Sequence, residues 1–164
     1  MTGRSKEQAE SDYESNIDAM MTEMDQFNLS DELSNSYRQL FIDVYAKAKY
    51  TVKDAEKMDD KDGYYVTVEI EQMTGLFNGI QEELMTEFTE WANSFDADTY
   101  PTEDEMYEQM YQMMYDLMSA RLDSITYNDP QEVVVEVIGE DNVYSISDGS
   151  MTELDEALLD VATE

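Results

Sequence analysis

The apolar residues of this chain change period part-way along it. From Ala9 to Ala48 they recur every three or four positions, the spacing that lines one stripe of a helix. In YYVTVEI, by contrast, Tyr64, Val66, Val68 and Ile70 alternate with Tyr65, Thr67 and Glu69, which places the two sets on opposite faces of a strand. A chain holding both periods in separate blocks builds helices and strands separately, which excludes an all-helical bundle and an all-strand sandwich.

The first helix is expected after Ser5, which forms a capping box with Gln8 and precedes a stripe of Ala9, Tyr13, Ile17, Met20, Met24 and Phe27. Asn28 and Ser30 interrupt it. A second helix from about Asp31 carries Leu33, Tyr37, Leu40, Phe41, Val44 and Ala48, and the short link predicts an antiparallel helical hairpin. Tyr50 to Met58 is poorly patterned and holds Lys53 and Lys57, which suits an edge strand guarded by charge. DDKDG then turns the chain into YYVTVEI, with Gly63 expected at positive φ.

A third helix is predicted from about Thr74 to Phe95, with Phe77, Ile80, Leu84, Phe88, Trp91 and Phe95 in one stripe. After the loop from Asp96 to Pro101, Thr102 and Glu105 form a capping box. They open a fourth helix to about Ile125, with Met106, Met110, Met113, Leu117 and either Arg121 or Leu122 inward. EVVVEVIGEDNVYSI predicts a second hairpin turning at Gly139 to Asn142, with Val133, Val135 and Val137 on one face. Ser150 and Glu153 are expected to cap a last short helix carrying Leu154, Ala157 and Leu158. The order helix, helix, hairpin, helix, helix, hairpin, helix is α+β: amphipathic helices packed on antiparallel β-hairpins, in a single domain spanning 1–164. Two helices separate the hairpins, so whether they share one sheet stays open.

Composition restricts the chemistry. The chain has no His and no Cys, which removes Ser–His triads, His-bound metals, Cys nucleophiles, disulfides and Cys-ligated zinc. With 40 Asp and Glu against 9 Lys and Arg, the formal charge is −31. Such a surface repels nucleic-acid phosphates and anionic headgroups, so no direct contact with nucleic acid or a membrane surface is expected. The basic residues Arg38, Lys47, Lys49, Lys53, Lys57 and Lys61 fall in one stretch, and after Asp62 only Arg121 opposes the acids. No apolar run approaches the ~20 residues that span a bilayer. The opening MTGRSKEQAE has no apolar stretch after its basic residues and does not read as a signal peptide.

Four features are candidate sites. Asp60, Asp62, Gly63 and Glu69 match part of a calcium loop starting at Met58, but Met58 cannot ligate a hard cation and the second half is strand-patterned, so a hairpin turn is the reading taken. Asp96, Asp98, Glu103, Asp104 and Glu105 cluster in DADTYPTEDE, either to hold calcium weakly or to complement the positive end of the fourth helix, the latter being preferred. Met106, Met110, Met113, Met114 and Met118 beside Tyr107, Tyr111 and Tyr115 suit an adaptable core, a partner groove or a Cu(I) cage, in that order. Arg121 is expected at the core edge paired with a carboxylate, with an anionic ligand as the alternative. Two facing carboxylates could run glycoside hydrolysis, but among 40 acids such a pair arises by chance. No catalytic, cofactor or metal residue is assigned.

The runs YRQLFIDVYAKAKYTV, DGYYVTVEIEQMTGLF and PQEVVVEVIGEDNVYSISDGSMTELDEALL resemble the extracytoplasmic domains of small, acidic, uncharacterised lipoproteins of Gram-positive, gut-dwelling type bacteria. That resemblance lends no catalytic residue. It implies an extracytoplasmic, cell-surface location and precursors that carry a lipid anchor and a further helical segment ahead of this stretch, so the chain is expected either to lack its native N-terminal segment or to be a soluble variant. The function expected is a non-enzymatic, lipoprotein-like domain binding a peptide, glycan or protein in a groove between helices and sheet. An acidic inhibitor or nucleic-acid mimic of a basic protein is the alternative.

Self-repulsion among so many acids is screened by salt. The melting temperature is therefore expected to rise between low and moderate ionic strength in a thermal scan, and a flat profile would show the acids already paired or too dispersed to matter.

Overall fold

Ser30 sits in extended backbone, φ −60° and ψ 151°, and its side chain accepts a hydrogen bond from the Leu33 amide, which starts a helix at the next residue. The computed structural model describes residues 15, 17–22, 24–96, 98–140 and 143–161. In it the helix after Ser30 is α2 (Asp31–Tyr45), preceded by α1, helical over residues 17–22. The expected Ser5–Gln8 capping box, with Ala9 and Tyr13, lies outside the described residues. Arg38 of α2 donates to Asp18 of α1 at 2.8 Å, a bond placed symmetrically about the break as an antiparallel hairpin requires. The remaining helices are α3 (Ile80–Ala92), α4 (Glu103–Arg121) and α5 (Asp148–Leu158). The strands are β1 (Lys49–Lys57), β2 (Gly63–Glu71), β3 (Met73–Thr74), β4 (Thr126–Tyr127), β5 (Gln131–Glu140) and β6 (Val143–Ile146). The fold is α+β, in two compact units: residues up to Ala46 with Ile80–Ala120, and Lys47–Gly79 with the residues from Arg121 onward.

In the helical unit the Tyr37 hydroxyl donates to the Tyr111 carbonyl at 2.7 Å, and its ring meets those of Tyr111 and Tyr115 edge-on. A buried phenol needs such an acceptor. Burial, followed by the neighbouring Tyr111 and Asp116, raises the Tyr37 pKa well above its ordinary value. Tyr111 and Tyr115 are half-buried, as are the residues of the expected Met106–Met110–Met113–Leu117 stripe. Met118 is the buried residue of α4, on the side of Tyr111 and Tyr115.

The second unit is built on a four-stranded antiparallel sheet of order β1-β2-β5-β6, so the two hairpins do share one sheet. The register sets Tyr50 and Val52 of β1 opposite Ile70 and Val68 of β2, and Val66 and Val68 opposite Val135 and Val133 of β5. All these residues share one face, on which α5 packs with Ala157, Leu154 and Leu158. The other face carries Glu69, Glu71 and Glu136, bonded to Lys53, Lys49 and Lys61.

Four local expectations are corrected. Gly63 does not take positive φ; instead a Cβ there would lie 2.6 Å from the Val137 carbonyl oxygen, so the close approach of β5 demands glycine. The third helix starts at Ile80 rather than Thr74, because Met73 and Thr74 pair with β4 and both Gly75 and Gly79 adopt positive φ. Buried Leu76, not Phe77, fills the core in that stretch. The second helix ends at Tyr45 rather than running to Ala48: Tyr127 accepts the chain there, its hydroxyl bonding the Lys47 carbonyl at 2.9 Å and its ring lying 3.5 Å from the Lys49 ammonium.

The last cap is also displaced. Ser147, not Ser150, accepts the hydrogen bond that opens α5, from the Ser150 amide at 3.3 Å. Ser150 is only 5% exposed and its hydroxyl accepts the Glu136 amide at 2.9 Å, completing the β5 ladder where β6 has ended. Ser150→Ala leaves that amide without its partner and is expected to cost about 1–3 kcal/mol in a denaturant melt. Glu153→Ala, at an exposed position, should stay within about 0.5 kcal/mol. Equal losses from both would return the cap to Ser150 and Glu153.

Candidate ligand groove

Alternation along β2 and β5 supplies more apolar face than α5 covers. The helix packs on β5 and β2, while all nine residues of β1 remain exposed. Tyr50 and Val52 belong to the apolar face by register, yet are 63% and 58% exposed. The result is an open groove of ≈ 300 Å³. Its floor is Val66, Val68 and Ile70 of β2 with Val135 and Val137 of β5; Tyr50 and Val52 form one wall, and Leu154 and Leu158 of α5 the other. Ile146 of β6 also lines it. Volume and lining suit an apolar ligand segment, since pockets of about this size and character hold small ligands or side chains.

This groove lies between helix and sheet, and its lining is Val, Ile and Leu with one Tyr. The methionines of α4 lie in the other unit. The signal for the groove was present in the sequence: KYTVKDAEK carries two large apolar residues that a charged edge strand has no need of. What hid it was the bulge between Val52 and Ala55, which breaks the alternation.

Several of the other candidate residues have structural partners. Met58 is only 3% exposed and its amide bonds the Gly63 carbonyl at 3.0 Å, so Met58 to Gly63 is a hairpin turn. Asp62 accepts the Gly139 amide on its carbonyl at 2.8 Å and the Tyr144 hydroxyl on its carboxylate at 3.3 Å, and Glu69 pairs with Lys53 at 2.9 Å. The charge of Asp62 is the main cause of a raised Tyr144 pKa. Among the described residues no group of three acids is placed to hold a metal ion. In DADTYPTEDE, Glu105 closes the expected capping box: its carboxylate accepts the Thr102 amide at 2.8 Å, and the Thr102 hydroxyl accepts the Glu105 amide at 3.3 Å. Arg121 donates to the carbonyls of Leu76 and Asn78, at 3.2 and 2.9 Å, binding the loop that leads toward Gly79. On α5, burial raises the Asp155 carboxyl pKa.

Among the described residues no helix is long and apolar enough to cross a membrane. No family model and no curated protein sequence matches the chain. Among solved structures it is similar to a putative lipoprotein (ycdA) from Bacillus subtilis subsp. subtilis str. 168, at 14% identity and a TM-score of 0.56, the match covering 98% of this chain and 49% of that one. The chain thus spans about half the length of the structure it matches. At that identity the likeness concerns the fold alone. It gives the α+β architecture a solved counterpart in a lipoprotein-named protein, while membership of the gut-bacterial family has no match behind it.

Proposed function

We propose that the chain is a non-enzymatic, extracytoplasmic binding domain of lipoprotein type, and that the groove beside α5 holds an apolar stretch of a positively charged peptide or protein. The observation that carries this reading is the uncovered apolar face at Tyr50 and Val52. Exposed apolar surface that the chain could have covered marks a contact site. Charge selects the partner: this unit holds 19 acids against 6 bases, so a cationic segment is drawn in and an anionic one repelled. β1 lies at the sheet edge, so an extended segment can also pair with its free backbone. The fold shared with a lipoprotein-named protein supports the extracytoplasmic part. The mimic reading needs uninterrupted rows of carboxylates, whereas the outer face of this sheet interleaves Glu with Lys.

The test uses a neutral fluorescent probe, N-phenyl-1-naphthylamine, since an anionic dye would be repelled. Saturable fluorescence enhancement is expected, weakened about tenfold or more by Val52→Glu, which brings a charge to the groove at a position too exposed to support the fold. An alternating Leu–Lys peptide should displace the probe and a Leu–Glu peptide should not. Enhancement that is absent, or unchanged in Val52→Glu, would remove the groove from the function; equal displacement by both peptides would remove the cationic partner.

A further inference from the structure

The helical unit holds a second cavity of different chemistry. Trp91, at the C-terminal end of α3, has its ring centre 5.4 Å from that of Phe88 and 5.0 Å from that of Phe95, the second pair crossing at 76°. Together with Tyr100, Glu105 and Glu108, Trp91 and Phe95 wall an open cleft of ≈ 390 Å³. Tyr100 is 56% exposed.

The carboxylates of this cleft are held by neutral donors. Glu105 accepts the Thr102 amide and hydroxyl, both at 2.8 Å, and Glu108 accepts the Ser30 amide at 3.0 Å and the Ser30 hydroxyl. The bonds from Thr102 keep the Glu105 carboxyl below its ordinary pKa, so it is charged at neutral pH. Among the described residues the unit has one basic side chain, Arg38, which is bonded to Asp18. The cleft is therefore a site of aromatic rings and negative charge in a unit with almost no internal cation.

Ring faces are the negative part of an aromatic quadrupole and attract cations. A hard metal ion needs six or more converging oxygens, and the described acids do not converge. The Thr102 amide and hydroxyl share Oε2 of Glu105, and the Ser30 amide and hydroxyl take one oxygen each of Glu108, so part of the accepting capacity of the carboxylates is already used. A quaternary ammonium, which carries no N–H, draws only on the ring faces and the negative charge. We infer that this cleft binds a small organic cation of the quaternary-ammonium class, held against Trp91 and Tyr100 and drawn by the charge of Glu105 and Glu108. This site is separate from the groove, and neither reading depends on the other.

Trp91 is the only tryptophan in the chain, so intrinsic tryptophan emission reports on this cleft and not on the groove. Choline chloride is titrated at ionic strength held constant with sodium chloride, beside dimethylbutanol, the neutral carbon isostere of choline. A saturable change with choline and none with the alcohol is expected. Tyr100→Ala should weaken binding about two- to fivefold. Glu105→Gln should do the same, because Gln preserves the capping box while removing the charge. No saturable change, an equal response to the alcohol, or a choline response that both variants leave intact would each overturn the assignment.

Discussion

The pairing of β2 with β5 is the constraint on which the second unit depends. It runs without interruption from Gly63 opposite Ile138 to Ile70 opposite Gln131, and it joins two hairpins that α3 and α4 separate in sequence. Because β2 and β5 become the central strands, their alternating residues fall on a common face, and a slip of one residue would turn one whole set to solvent. Glycine at Gly63 lets the strands approach, since any Cβ would meet the Val137 carbonyl. The same pairing places α5: after β6, Ser147 donates its amide to the Glu136 carbonyl and Ser150 accepts the Glu136 amide, so the helix begins as a continuation of the β5 ladder. The groove is what remains of the apolar face once α5 has been anchored there.

The chain's charge is distributed in a way that gives the groove and the cleft different characters. In the second unit lysines stand on β1 and its turn and neutralise Glu69, Glu71 and Glu136 across the outer face. Exposed pairs of this kind contribute little stability, but charged side chains on an edge strand discourage uncontrolled pairing with other chains. The groove can thus stay open without making the sheet edge indiscriminate. In the helical unit no such relief exists among the described residues beyond Arg38, and the cleft beside Trp91 keeps an unopposed negative field.

Much of this architecture was legible. The period-two run at Tyr64–Ile70, the Thr102–Glu105 capping box and the charged edge strand all stand where sequence reasoning placed them, since each depends on neighbours within a few residues. Errors arose where a long-range partner overrode a local signal. Ser150 looked like a cap because Glu153 follows it at the right spacing, yet a strand amide claimed its hydroxyl. Thr74 looked helical until β4 paired with it. On α4 the expected stripe is half-buried, as are Tyr111 and Tyr115, and full burial falls on Met118, beside the rings that pack edge-on against Tyr37.

The sequence by itself determined the order of the longer helices and the two hairpins, the α+β class, and the absence of thiol and imidazole chemistry, because periodicity and composition are properties of local stretches of chain. Only the tertiary structure decided that the hairpins merge into one sheet, that α5 leaves β1 uncovered, and that Trp91, Tyr100 and Glu105 meet around one cleft. Those outcomes depend on which distant strand satisfies which backbone group, and on how much apolar face one short helix can cover, neither of which is encoded within a few neighbouring residues.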